Sequence, residues 1–262
     1  MRLFDSHCHL DAAEFAADRH AVVQRAEAAG VVAQLVPAVD RNSWSALRDV
    51  CASAPGLHAA YGLHPVFLAG HQRSHLAELR DWIERERPAA IGECGLDYFV
   101  EGLDRNFQSE LLEGQLQLAR EFDLPVVLHA RQAVEDILHA LRRIRGLRGV
   151  VHSFSGSEEQ ARRLFDLGFY IGIGGPVTYE RAKRIRRVVS AMPLEFLLLE
   201  TDAPDQPDAD HRGQRNEPSR LTRVAATIAS LRNCEPAQIA EATFVNALRL
   251  FRLPDPGPTH AD

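Results

Sequence analysis

Short apolar runs alternate along the chain with longer stretches whose apolar positions recur at helical spacing. The runs are Leu3 to Asp5, Val31 to Val36, Leu57 to Tyr61, Ala89 to Gly92, Pro125 to Leu128, Gly149 to Val151, Phe169 to Ile173 and Phe196 to Leu199. Each predicts a strand of a buried parallel sheet, which reads as a near-continuous apolar segment. Between them the spacing predicts helices over 18–29, 43–53, 74–87, 105–122, 133–145, 157–167 and 179–191. Two more close the chain, over 219–231 and 236–250. Alternating β and α elements favour a parallel sheet. Eight strand–helix units in about 250 residues fit a closed (β/α)8 TIM barrel, with a doubly wound open sheet as runner-up. Residues 1–252 are expected to form one barrel domain, and the proline-rich segment 253–262 a loose tail.

Composition narrows the function classes. Apolar residues are 45% and charged residues 25%, ordinary for a globular protein. No run approaches the ~18–20 apolar residues of a membrane span. The start, MRLFDSHCHL, does not follow the signal-peptide template. The four cysteines, Cys8, Cys51, Cys94 and Cys234, include no C-x-x-C pair and make no disulfide framework. These features point to a cytoplasmic protein with no membrane role and no evident obligate protein partner. The net charge is −6, whereas a protein gripping duplex DNA through phosphates alone is usually basic. Any grip on nucleic acid must then be local or supplied by metal ions.

The polar residues cluster where the apolar runs stop. Asp5-Ser6-His7-Cys8-His9 ends the first strand and Gly62-Leu63-His64-Pro65 the third. Gly92-Glu93-Cys94-Gly95 ends the fourth and His129-Ala130-Arg131 the fifth. His152-Ser153-Phe154-Ser155-Gly156 ends the sixth and Glu200-Thr201-Asp202-Ala203-Pro204 the eighth. In a (β/α)8 barrel these ends open onto one face, where the active site lies. His7 and His9, two apart on extended chain, point to one side, with Cys8 opposite. With His129, His152, Glu93 and Asp202 they form a set suited to divalent metals. A single histidine at a strand end is more often structural; the combined set is hard to explain as packing. His20, His71, His75, His139, His211 and His260 read as surface, and His58 as structural at the opposite face. The sole lysine, Lys183, belongs to the seventh helix. No lysine is therefore available on strand four to bridge two metals, and Glu93 stands there instead.

Taken together, these segments, with Asp11, Leu96-Asp97, Leu128 and Arg215-Asn216-Glu217-Pro218, resemble the TatD family of metal-dependent hydrolases, among the amidohydrolase-like barrels. The resemblance spans nearly the whole chain. It implies one metal held by His7, His9 and Asp202, a second by His129 and His152, and Glu93 between them. It implies a deoxyribonuclease using two divalent ions, with magnesium, manganese or zinc as plausible identities. Two departures stand out. Cys94 replaces a more usual aliphatic residue. The loop from Asp205 to Arg212 is acidic and lacks the apolar and aromatic residues of the nuclease-typical loop, which suits a less-studied branch.

On this reading Asp202 is the leading general base for a metal-activated water, beside Glu93. His64 can orient or protonate the leaving group, although a structural role before Pro65 is equally compatible. Arg131, His64 and Arg215 are the candidate phosphate-binding residues, Arg212 being another loop arginine near the metals. Asp5 and Asp11 are placed as partners of ligands. Gly172-Ile173-Gly174-Gly175 suits either a phosphate cradle or close packing. The arginine-rich faces of helices five and seven read as solvated. Three functions follow: a phosphodiesterase acting on single-stranded DNA or DNA ends; a two-metal hydrolase of a carboxylic ester or amide, with a small-molecule or aminoacylated substrate; and a non-enzymatic barrel, which the complete ligand set disfavours.

Overall fold

A computed structural model describes residues 1–257. Eight strands lie in one sheet in chain order, each hydrogen-bonded in parallel to the next. They are β1 (Leu3–Asp5), β2 (Val31–Pro37), β3 (Leu57–Tyr61), β4 (Ala90–Asp97), β5 (Val126–Arg131), β6 (Gly149–Val151), β7 (Phe169–Ile173) and β8 (Leu197–Leu199). The seam between β8 and β1 is joined by Ser6 N–H to the Leu199 carbonyl and Asp202 N–H to the His7 carbonyl, each 2.9 Å. The fold is the expected (β/α)8 TIM barrel and not the open sheet.

Helices α1 (Arg19–Ala28), α2 (Trp44–Ala52), α3 (His75–Glu86), α4 (Arg105–Glu121), α5 (Val134–Arg143), α6 (Glu158–Asp166) and α7 (Lys183–Ala191) each follow the strand of the same number. α8 (Leu221–Arg232) and α9 (Pro236–Phe251) close the chain. Local chemistry marks several helix starts. The Asp104 carboxylate accepts from the N–H groups of Asn106 and Phe107, and Ser157 with Gln160 forms a capping box.

Phe4, Leu35, Val127, Val150 and Leu198 pack as one buried cluster with Phe244, Leu250 and Phe251 of α9. Phe251 stacks on Phe4 with ring centroids 5.7 Å apart. α9 thus covers the end of the barrel away from the polar residues, and His58 stacks on Phe4 at that same end. Residues 258–262, including His260 and the last part of the expected tail, lie outside the described residues. Among the described residues, no helix is long and apolar enough to cross a membrane.

Two strands run past their apolar segments. β4 continues to Asp97 and β5 to Arg131, in register Gly95 opposite His129 and Asp97 opposite Arg131. Glycine makes this possible. A Cβ at Gly95 would stand 2.0 Å from the His129 carbonyl oxygen, and Gly95 has φ +145°. Glu93 and His129 therefore sit within strands instead of just beyond them, fixed by the ladder.

Candidate metal centre

The six expected ligands converge. His7 and His9 leave the end of β1, Glu93 stands on β4, His129 on β5, His152 just after β6 and Asp202 after β8. His7, Glu93, His152 and Asp202 are buried. His7 Nε2 lies 3.2 Å from His9 Nε2, 3.1 Å from Glu93 Oε2 and 3.5 Å from Asp202 Oδ1. His9 Nε2 lies 3.4 Å from Glu93 Oε2 and 3.7 Å from Asp202 Oδ1. The other oxygen of the same carboxylate, Glu93 Oε1, faces a second group. It is 3.1 Å from His129 Nδ1, 2.7 Å from His152 Nε2 and 3.0 Å from His64 Nε2. The His7 and His152 rings stack between the two groups, centroids 3.8 Å apart.

These contacts suit a cation. Ligand atoms about 2.0–2.1 Å from a tetrahedral metal lie about 3.3–3.4 Å from one another, which is the spacing seen around His7 and His9. The tautomers agree. His9 Nδ1 faces the Pro37 carbonyl at 3.2 Å and His129 Nε2 faces Asp97 Oδ2 at 2.9 Å, so each ring donates outward and turns a lone pair inward. Lone pairs facing carboxylate oxygens repel unless positive charge lies between them. Glu93 Oε2 itself is buried and finds no hydrogen-bond donor.

The electrostatics carry the same message. Burial disfavours charge on His152, yet the negative charge of Glu93, with Asp202 and Glu200, overrides it and pushes its pKa up to about 10. Burial likewise works against His9, and the adjacent Glu93 carboxylate, with Asp202 and Asp11, lifts it to about 9. Glu93 is held well below the usual carboxylate range despite its burial, chiefly by the charge of His152 and by its hydrogen bond with His129. His7 moves down, through burial and the neighbouring His152 charge. The pocket as a whole favours cations.

Other expected site residues divide. His64 joins the centre: its Nδ1 accepts from Val66 N–H at 3.1 Å, so Nε2 carries its proton. Burial keeps the ring neutral by lowering its pKa. Arg131 lines an open cleft of about 790 Å³ over the cluster. Arg215 does not reach it. Its guanidinium pairs with Asp18 at 2.7 and 2.8 Å, bonds the Glu14 carbonyl and lies over the Phe15 ring. That partner sits far away in sequence, and the structure does not bring Arg215, expected to bind phosphate, into the lining of the cleft. Arg212 does not line the cleft either.

Asp5 braces backbone and touches no ligand ring: it accepts from Thr201 N–H, Thr201 Oγ1 and His7 N–H. Asp11 lines the cleft, with Oδ1 unpartnered. His71, expected at the surface, is buried, with Nε2 2.9 Å from the His64 carbonyl. Cys8 and Cys94 are buried, as expected for packing positions.

Three contributors had been given no role. Asp97 holds His129. Glu200 Oε1 accepts from Ser153 N–H and lies 4.0 Å from His152 Nδ1. Gln206 Nε2 donates to Asp202 Oδ2. The period-two spacing of Glu93 with Asp97 and of Glu200 with Asp202 was the available signal. Gln206 lies in an irregular loop and carried none. The glycines at the end of β7 and just after it serve close packing: a Cβ at Gly172 would stand 2.0 Å from Glu200 Oε2, and one at Gly175 2.1 Å from the Gln206 carbonyl.

A TIM barrel with convergent histidines and carboxylates at the C-terminal ends of its strands has the form of a metal-dependent hydrolase. Comparison with known proteins gives the same class. The chain is 43% identical over 258 residues to YjjV of Escherichia coli K12, described as an uncharacterized metal-dependent hydrolase, covering 97% of this chain and 99% of that one. It is 37% identical over 253 residues to the similarly described YabD of Bacillus subtilis 168, covering 96% and 99%. The crystal structure of YjjV, a TatD homologue, superposes with a TM-score of 0.92 at 40% identity, covering 97% and 99%. Residues 4–252 match the family described as TatD related DNase, and the chain belongs to the TatD family of metal-dependent hydrolases.

Proposed function

We propose that this protein is a deoxyribonuclease that holds two divalent cations and cleaves phosphodiester bonds of single-stranded DNA or DNA ends. The observation carrying this reading is Glu93, whose two oxygens face two different donor groups, with Arg131 the one Lys or Arg among the described residues lining the cleft. His7, His9 and Asp202 would hold one ion, His129 and His152 the other, and Glu93 both. When bound, such a pair supplies Lewis-acid charge and lowers the pKa of a coordinated water; magnesium, manganese and zinc all suit the donor set.

The chain's own groups do the rest. Asp202 faces His7 and His9 with Oδ1 and is fixed at Oδ2 by Gln206, and burial raises its pKa, which suits a proton acceptor. Its backbone adopts φ +56°, a left-handed conformation that short polar side chains tolerate. His64, neutral and protonated at Nε2, donates to a phosphoryl or leaving oxygen. Arg131 presents a planar fork to a phosphate.

One observation favours the second reading, hydrolysis of a carboxylic ester or amide. Asp11, Glu14 and Asp205 also line the cleft and would suit a substrate carrying a cationic group. The deciding experiment strips the protein with chelator and restores magnesium, manganese or zinc separately. End-labelled single-stranded and duplex DNA is then added, with Asp202→Asn alongside. The expected result is metal-dependent cleavage reduced at least about 100-fold in Asp202→Asn, the lower range for removing an acid–base group. Absence of cleavage by protein that holds its ions would overturn the DNA reading and turn the search to esters and amides.

A further inference from the structure

Two aromatic rings stand exposed at the site. Phe67 is 46% and Phe99 52% exposed, in a molecule whose other phenylalanines are largely buried or packed against the core. Each ring is fastened to a residue of the centre. Phe67 lies in the short 3-10 turn Pro65–Gly70, which His64 opens by accepting from Val66 N–H. Its ring meets the His64 ring edge-on, centroids 5.6 Å apart, and lines the cleft. Phe99 follows Asp97, whose Oδ1 accepts from the N–H groups of Phe99 at 2.8 Å and Val100 at 3.0 Å. The other oxygen of that carboxylate holds His129. Over the Phe99 ring lies the Arg131 guanidinium, 3.7 Å from the centroid.

An exposed ring that serves only packing has no reason to be tied to a catalytic centre; a ring that receives substrate does. We propose that Phe67 and the Phe99–Arg131 stack form a platform for one unpaired nucleobase and its adjoining phosphate, and that the platform makes the enzyme prefer single strands. This rests on the DNA reading above. Every base offers a flat π-face that stacks on an aromatic ring whatever the sequence. Arg131, seated over the Phe99 ring, carries a planar fork of N–H donors, of which a phosphate can take two. A base inside a duplex has both faces covered by its neighbours and cannot use the platform. The sparse positive charge of the cleft strengthens the inference. With one Arg and no Lys lining it among the described residues, stacking must supply grip that phosphate contacts do not.

The test reads binding first. Metal-loaded protein is titrated with a five-nucleotide strand carrying phosphorothioate linkages, which slow turnover, and 2-aminopurine at each end in turn. The expected result is fluorescence quenching at one end, with affinity about 5- to 150-fold weaker in Phe67→Ala, the range for losing one base–aromatic stack. Phe67→Tyr keeps the ring and should restore binding. Replacing the base at that end by an abasic sugar should weaken wild type as much as Phe67→Ala does, and should weaken Phe67→Ala no further. Equal affinity of wild type and Phe67→Ala, equal affinity for single strand and hairpin duplex, or no binding at all overturns the platform. Cleavage of ordinary linkages separates the two ideas. Quenching without cleavage sinks the hydrolysis reading and leaves the platform. Equal cleavage of base-bearing and abasic ends by wild type and Phe67→Ala sinks the platform and leaves the hydrolysis.

Discussion

Glu93 sets the chemistry of its neighbours. A buried carboxylate reached by four imidazoles within 3.1 Å stays ionised by drawing protons onto the rings around it. That has a measurable consequence for metal binding. His9, lifted to about 9, and His152, lifted to about 10, hold protons at neutral pH when no cation is bound. A ligating imidazole must be deprotonated, so loading expels those protons. His7 and His64 move in the opposite direction and have none to lose. Affinity should therefore rise with pH up to about 10, by about tenfold per pH unit for each proton displaced, and most steeply below about 9 where both protons must leave. Isothermal titration at pH 7, in buffers of different ionisation enthalpy, should count at least about two protons released when the site fills, those of His9 and His152. His129, also raised through its hydrogen bonds to Asp97 and Glu93, adds to them. Metal affinity that stays flat between pH 6 and 9 would contradict this account.

At the scale of the element, the site depends on how closely β7 approaches the residues after β8. The buried carboxyl of Glu200 fits against Gly172, where a Cβ would stand 2.0 Å from Oε2. That fit keeps Oε1 on the Ser153 N–H, next to His152. Gly172→Ala should cost about 1–3 kcal/mol, the usual range for overpacking a tight interior. It should also weaken metal binding by displacing His152. Gly70→Ala, with open space around the added carbon and no left-handed φ, is the control. Urea denaturation and metal titration read both effects, and an unchanged midpoint for Gly172→Ala would refute them. The same elements show what the sequence makes legible. The ends of β3, β6 and β7 fall where their apolar runs end, because there the ladder and the hydrophobic pattern stop together. β4 and β5 outrun their patterns because the ladder continues into the polar mouth of the barrel, where site residues replace apolar ones. The candidate ligands were legible because they fall at the ends of five strands, with His7 and His9 two apart. Arg215 and His71 were misplaced because their partners, Asp18 and the His64 carbonyl, lie on other segments that only the folded chain brings near.

For the whole molecule, the question is how a chain of net charge −6 would hold the polyanion proposed as its substrate. Its arginines are largely committed elsewhere: Arg25 to Glu217, Arg41 to Glu78, Arg73 to Glu110, Arg80 to Glu121 and Arg215 to Asp18. Such exposed pairs add little stability, but they neutralise part of the surface, and Arg131 is the one Lys or Arg lining the cleft among the described residues. Binding should then depend weakly on monovalent salt. For single strands, log K falls with log salt at about −0.7 per phosphate neutralised, so Arg131 acting alone gives a slope of about −0.7. A protein with six to ten phosphate contacts would instead lose roughly 10³–10⁵ in affinity between about 50 and 200 mM salt. At saturating metal, Arg131→Ala should flatten the slope towards zero, while Arg215→Ala should leave it unchanged. Fluorescence titration of a short single strand at several salt concentrations measures all three. A wild-type slope steeper than about −3 would show several phosphates bound at once. It would move the proposed DNA tract from the cleft to the outer arginines of α5 and α7, because among the described residues one guanidinium lines the cleft.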